Sequence, residues 1–201
     1  MPDPGPVVTL IRHGETTWSA RGQHTGRTDL ELTQKGEDQA RALRALLGER
    51  HFDVVATSPL RRAIRTAELA GLDPTEVLDD LGEWDYGDLE GLTTPQVRER
   101  YPGWTIWIGP WPGGETAEAI GERTDRVLAR LLDLPAEARV AVVAHGHILR
   151  VLGARWLGAE VITGRTLALD TASVSELGWE HRLPVVRRWN LTIDSMPVTS
   201  P

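Results

Sequence analysis

Two histidines stand in the same local setting. His13 follows the apolar run Val7–Ile11 and lies in Arg12-His13-Gly14-Glu15-Thr16, while His145 follows Val140–Ala144 and lies in His145-Gly146-His147. A histidine directly after a buried strand can project from the sheet edge into a pocket, and the glycine beside it lets backbone pass close to a ligand. A neutral imidazole is a nucleophile when its other nitrogen donates a hydrogen bond that fixes the tautomer. Arg12 beside it offers a planar fork of donors suited to phosphate oxygens. A second fork comes from Ser58-Pro59-Leu60-Arg61-Arg62-Ala63-Ile64-Arg65. Ser58 and Pro59 read as the N-cap and first-turn proline of a helix, which puts Arg62 in a first turn where free N–H groups and the dipole favour an anion. Arg61 and Arg65 share one face and read as solvated, with acidic partners.

Phosphoryl transfer to and from a histidine also needs a proton donor for the leaving oxygen. The segment Leu81–Gly91 supplies four acids, Glu83, Asp85, Asp88 and Glu90. Mutual repulsion is expected to raise the pKa of one of them, and spacing does not choose which. A metal site on His145 and His147 lacks a third ligand at usable spacing. The chain has no cysteine, which excludes disulfides, Fe–S and thiolate zinc sites and a cysteine nucleophile.

The elements that must position these residues follow from periodicity. Val7–Ile11, Phe52–Ala56, Val77-Leu78 and Val140–Ala144 read as strands, and Val174–Trp179 and Val185–Trp189 as a late, paired set. Thr33 caps a helix with Ala40, Leu43, Leu46 and Leu47 on one face and a stop at Gly48. Further helices are expected from Pro59 to Leu69, Thr93 to Tyr101, Glu115 to Leu134 and Gly146 to Leu157, with Trp104–Gly114 irregular between two of them. This alternation predicts an α/β fold, a three-layer α/β/α sandwich on a mostly parallel central sheet, with functional groups at the carboxyl ends of its strands. Residues 1–201 read as one domain, with loose tails at about 1–6 and 194–201.

Hydrophobic residues at 40% and charged residues at 25% are enough for a real core. Lys and Arg number 22 against 29 Asp and Glu, a net charge of −7. Such a surface disfavours nucleic acid and anionic membranes, so an anion site must be a local positive pocket. The start, Met1–Pro6, is neither basic nor apolar, and the longest apolar run falls far short of the roughly 20 residues that span a bilayer. A soluble, cytoplasmic protein is expected.

Four ordered blocks, LIRHGETTWS, SPLRRAIRTA, LGEWDYGDLEG and VVAHGHILR, resemble the histidine phosphatase superfamily in its phosphoglycerate-mutase-like branch, over about residues 7–178. The resemblance implies that fold, with His13 as the nucleophile that becomes phosphohistidine. It implies Arg12, Arg62 and His145 as the phosphate clamp, Glu83 as general acid and then base, and no metal or other cofactor. By position it puts Thr25 and Gly26 at the phosphate, and Gln23, His24, Tyr86 and His147 on the substrate side. For 21–29 the alternative is a plain surface turn. Ser19 stands where many relatives have Asn, and no phosphate contact is expected from it. The Trp104–Thr116 pattern is similar to sedoheptulose-bisphosphatase-like and broad-specificity acid phosphatases. There Trp104, Trp107 and Trp111 form either a wall or lid over the site or a packed connecting turn. Between Glu83 and His145 there is no Lys and no Arg-Arg pair. The mutases carry a longer basic insertion in that region, so a phosphatase is favoured over the mutase. The expected function is metal-independent hydrolysis of small phosphorylated metabolites, sugar phosphates first, releasing inorganic phosphate. The alternatives are a cofactor-dependent phosphoglycerate mutase and a non-catalytic phospho-ligand binding module. A homodimer is the default expectation for assembly, and no residue pattern specifies it.

Overall fold

In the computed structural model, which describes residues 4–195, the β-branched runs become β1 (Val7–Arg12), β2 (Val54–Thr57), β3 (Glu76–Val77), β4 (Arg139–Ala144), β5 (Val174–Glu180) and β6 (Leu183–Leu191). They form one six-stranded sheet in the order β3-β2-β4-β1-β5-β6. The first four strands in that order run parallel, and β5 pairs antiparallel with both β1 and β6. The helices are α1 (Thr17–Ala20), α2 (Gln34–Leu47), α3 (Arg61–Leu69), α4 (Thr94–Arg100), α5 (Ala117–Leu132) and α6 (Gly146–Trp156).

Strand side chains alternate between faces, and β4 shows what that does here. Val140, Val142 and Ala144 enter a core with Ile120 and Val127 of α5 and Ile148 and Leu152 of α6. Ala141 and Val143 enter a second core with Leu43 of α2 and Ala63 and Ala67 of α3. A sheet buried on both faces between helices is the three-layer arrangement expected from the sequence.

Local signals mostly agree. Thr33 and Thr116 cap α2 and α5 by accepting N–H bonds from Gly36 and Ala119. Two features differ. The N-cap of α3 is Leu60, without a side-chain cap bond. Ser58 instead accepts the Leu60 N–H at 3.3 Å and joins the site described below. The short α1, closed by a Thr16–Ser19 capping box, has too few residues for an apolar period and was not expected. Of the expected tails, Gly5 and Pro6 are buried, and the Pro6 carbonyl accepts a hydrogen bond from Trp179 Nε1 at 3.1 Å. Asp194 and Ser195 form part of a 3-10 turn, and 196–201 lie outside the described residues. Among the described residues, no helix is long and apolar enough to cross a membrane.

Candidate active site

Parallel register assembles the centre. Arg12 pairs with Ala144 across β1 and β4, and Thr57 with Val143 across β2 and β4. The next residue of each strand therefore emerges at the same carboxyl edge: His13, His145 and Ser58. The His13 N–H donates to the Ala144 carbonyl at 3.0 Å, and the Ser58 N–H to that of Val143 at 3.0 Å. Residues far apart in the chain meet because three neighbouring strands end in step.

His13 Nδ1 lies 2.7 Å from the Gly14 carbonyl. A carbonyl only accepts, so Nδ1 carries the proton and Nε2 keeps its lone pair. Burial, then Arg62 and Arg12, push the His13 pKa down from 6.5 to about 3, so the imidazole is neutral over the whole physiological range. Gly14 is required for packing rather than for ligand approach: a Cβ there would meet the Gly36 carbonyl oxygen of α2 at 2.3 Å.

The ring centroids of His13 and His145 are 5.1 Å apart in edge contact. Arg62 Nε donates to His145 Nδ1 at 3.0 Å, which puts the imidazole proton on Nε2, 2.7 Å from Ser58 Oγ. Burial and Arg62 hold His145 well below its ordinary pKa, hence neutral. The other Arg62 nitrogens donate to the carbonyls of Thr28 at 2.8 Å and Gly26 at 3.0 Å. Arg62 and His145 thus form a fully buried layer behind the nucleophile. The positive charge of Arg62 and the rigidity of the pair reach the site through His13 and the 25–28 segment.

Beside the His13 ring opens a cavity of about 180 Å³. Of the expected residues, Arg12, His13, Gln23, His24, Thr25, Glu83, Tyr86 and His147 line it, whereas Arg62, His145 and Gly26 do not. Arg12 donates to the Leu169 carbonyl, and its buried Nε has no partner. Gly146 permits this placement, since a Cβ there would sit 3.3 Å from the Arg12 guanidinium carbon. Gly26 is held in the segment behind the wall by its carbonyl bond to Arg62. A larger groove of about 370 Å³, on α2 and α3, contains exposed ion pairs and no histidine. Arg61 and Arg65 are there, with acidic partners as expected.

The four acids do not share a site. Asp85 pairs with Arg27 at 2.8 Å, Glu90 binds the Arg27 and Thr28 N–H groups, and only Glu83 of the four lines the cavity. Its carboxylate accepts N–H bonds from Trp84 at 2.8 Å and from His147 and Ile148 at 2.9 Å, in the first turn of α6. Burial pushes its pKa up, but the His147 side chain, and after it the His147 main-chain N–H, prevail and hold it well below 4.5. The expectation that crowding would raise one acid is therefore corrected: the acids are apart, and Glu83 rests ionised.

The far wall is aromatic. His24 stacks on Tyr86 with centroids 4.7 Å apart and meets Trp104 edge-on at 5.1 Å. Burial, and then His147, lower the His24 pKa to about 4. Trp107 lies 5.3 Å from His147, and the Arg150 guanidinium lies 4.7 Å from the Trp107 ring centre. With exposures of 2% and 8%, Trp104 and Trp107 are packed backing to that wall and not a lid.

Sequence reasoning missed several lining residues: Thr16, Ser19, Gly22, Gly146, Arg150 and Leu169. Ser19 lines the cavity, with its hydroxyl donating to the Thr16 carbonyl at 3.1 Å. Arg150 was findable, being four residues after Gly146 on the same helix face. Leu169 had no local signal. Among the described residues, no group of three or more His, Asp or Glu could hold a metal ion.

The family model of the histidine phosphatase superfamily (branch 1) matches residues 8–192. An acid phosphatase of Mycobacterium tuberculosis is 42% identical over 195 residues, covering 96% of each chain. The sedoheptulose 1,7-bisphosphatase of Saccharomyces cerevisiae is 37% identical, over 80% of this chain and 71% of that one. The solved structure of the Mycobacterium tuberculosis open reading frame Rv3214 superposes with a TM-score of 0.90 at 42% identity, covering 93% of this chain and 98% of that one. The chain belongs to the histidine phosphatase superfamily. It is one of that superfamily's phosphatases, in the broad sense that includes mutase-like members.

Proposed function

We propose that the protein is a metal-independent phosphomonoesterase for small phosphorylated metabolites, sugar phosphates first, acting through a phosphohistidine on His13. The observation that carries this reading is the pinned tautomer: Nδ1 donates to the Gly14 carbonyl, and the free Nε2 belongs to a residue lining a cavity with Arg12 and Glu83. His13 Nε2 attacks phosphorus as the ester P–O bond breaks and the leaving oxygen gains a proton from Glu83. Water then attacks phosphorus, Glu83 takes its proton, the N–P bond breaks and inorganic phosphate leaves. The charges of Arg12 and, from behind, Arg62 offset the equatorial oxygens of the transferred group by preorganised electrostatics.

The cavity volume favours a small substrate body. Two buried polar atoms without partners, Arg12 Nε and Gln23 Oε1, belong to its lining and offer a donor and an acceptor to phosphate and hydroxyl groups. The acid phosphatase and sugar bisphosphatase relatives support the same substrate class. We take the chain to act as a single domain in the cytoplasm.

Rapid quenching with a ³²P-labelled sugar phosphate tests the proposal. Acid-labile label on His13 that appears before free phosphate is expected. Sustained phosphate release with no label on His13 contradicts it, and isomerisation of phosphoglycerate without phosphate release points to the mutase instead.

A further inference from the structure

Glu83 has two tasks in the proposed cycle, yet it is an ionised carboxylate held by three main-chain N–H groups. An ionised carboxylate can receive a proton but has none to give. A neighbouring side chain that holds a proton close to its oxygens can supply the one the leaving group takes. His13 and His145 have their Nδ1 atoms committed, to a carbonyl and to Arg62, and both rings are neutral.

His147 is placed differently. Its main-chain N–H already grips Glu83, and its Nδ1 lies 3.7 Å from Glu83 Oε2 and 2.7 Å from Tyr86 Oη. Burial, and then Glu83, hold the Tyr86 phenol well above its ordinary pKa, so it stays protonated. With neutral His147, the Tyr86 O–H donates to Nδ1. When Nδ1 gains a proton, the phenol oxygen becomes an acceptor and Oε2 is the adjacent base. His24 from the 21–29 segment faces His147 too, Trp84 and Trp107 pack against the ring, and Arg12 and Arg150 act on the same Glu83–Tyr86 pair.

We infer that His147 is a positioning residue that acts through Glu83, supplying and taking back the proton that Glu83 passes to the leaving group. The inference rests on the phosphatase reading above. A phosphate dianion entering the cavity repels the carboxylate charge and favours its protonation, and a proton on His147 Nδ1 moves to Glu83 Oε2, 3.7 Å away. Glu83 gives it to the ester oxygen as the P–O bond breaks and the His13 Nε2–P bond forms. After the alcohol leaves, water adds to phosphorus, the N–P bond breaks, and the proton taken from water by Glu83 returns to His147. One water and one ester become one alcohol and one phosphate.

The test compares two substrates in the full-length protein: glycerol phosphate, whose alkoxide must be protonated, and 2,4-dinitrophenyl phosphate, whose leaving group needs no proton. For His147→Gln, kcat/KM on glycerol phosphate, which reports the phosphorylation step, should fall about 10²-fold, the scale of general acid–base catalysis. The ratio of the two kcat/KM values should fall at least about tenfold, because only one of the two substrates requires that proton in the step that forms the phosphohistidine. KM should change little, and the pH dependence of kcat should shift. Tyr86→Phe should move that pH profile in the same direction, and it serves if His147→Gln does not fold. Adding His147→Gln to Glu83→Gln should cost almost nothing more, because the two residues act as a unit. Equal losses of kcat/KM on both substrates, a raised KM with kcat intact, or multiplying losses in the double variant overturn the inference while the phosphatase reading stands. Wild-type protein that releases no phosphate from either substrate overturns both.

Discussion

The floor of the site and its far wall are built on different principles. The floor is three strand ends in register, carrying His13, His145 and Ser58, with Arg62 bonded into it from α3. The wall is borrowed from loops: His24, Glu83, Tyr86 and the Trp104–Trp111 segment, held together by ring contacts and by Glu90 bonds to 27–28. The floor fixes a nucleophile by backbone geometry, and changes there should affect chemistry. The wall is held by side chains, and changes there should affect which substrate is accepted and how protons arrive.

The largest effect is expected at the floor. His13→Ala should lower turnover by about 10⁴-fold or more, the range seen when a covalent nucleophile is removed. Intact folding by circular dichroism would show the loss to be chemical, and near-normal turnover would erase the distinction between floor and wall. Arg62→Met should cost about 10²–10³-fold in kcat, since it removes preorganised positive charge from the layer directly behind His13. It also leaves the Thr28 and Gly26 carbonyls and His145 Nδ1 without a donor, so a loss of about 1–3 kcal/mol for each uncompensated group is an upper guide to destabilisation. Because Arg62 is one cause of the low His13 pKa, NMR titration of the variant should find that pKa above about 3. An unmoved value would mean that burial and Arg12 set it without Arg62.

Acid sensitivity sharpens the comparison. Folded His13 and His24 take up protons only near pH 3 and 4, against an ordinary value of 6.5. Between those limits the unfolded chain binds protons that the folded chain does not, so stability is lost as pH falls below about 6.5. Each such group contributes a slope of up to about 1.4 kcal/mol per pH unit. Thermal unfolding should therefore shift down from pH 6.5 to 4.5, and His24→Gln should flatten the slope. A flat wild-type profile would contradict the buried neutral imidazoles. The smallest effect belongs to the outer wall: Trp104→Leu should raise KM for sugar phosphates several-fold and leave kcat within about threefold, because it backs His24 without lining the cavity. A collapse in kcat would make the wall part of the chemistry.

Legibility in the sequence follows the same division. The floor was readable because a buried apolar run followed by His-Gly specifies a strand end whichever tertiary neighbours arrive. Its internal arrangement was not, since ring-to-ring distance and the Arg62–His145–Ser58 chain depend on strand spacing. Ser58 read as a helix cap because a serine before a proline at a helix start ordinarily is one. Gly14 read as room for a ligand, whereas its constraint is the α2 backbone. In the wall, Glu83 was one of four acids until folding turned Asp85 and Glu90 to structural partners. Its low pKa comes first from the His147 side chain and then from the His147 main-chain N–H, neighbours 64 residues away in the chain that only folding brings beside it. Arg150 carried a helical-spacing signal, and Leu169 carried none.

The central claim is that Nε2 of His13 is the atom that takes the phosphoryl group, because Nδ1 is bonded to the Gly14 carbonyl. Phosphorus and nitrogen NMR of the trapped intermediate, on protein labelled with ¹⁵N-histidine, reads the attached nitrogen directly. The account predicts a single species phosphorylated on Nε2 of His13. Phosphorylation on Nδ1, or on any other residue, would contradict it.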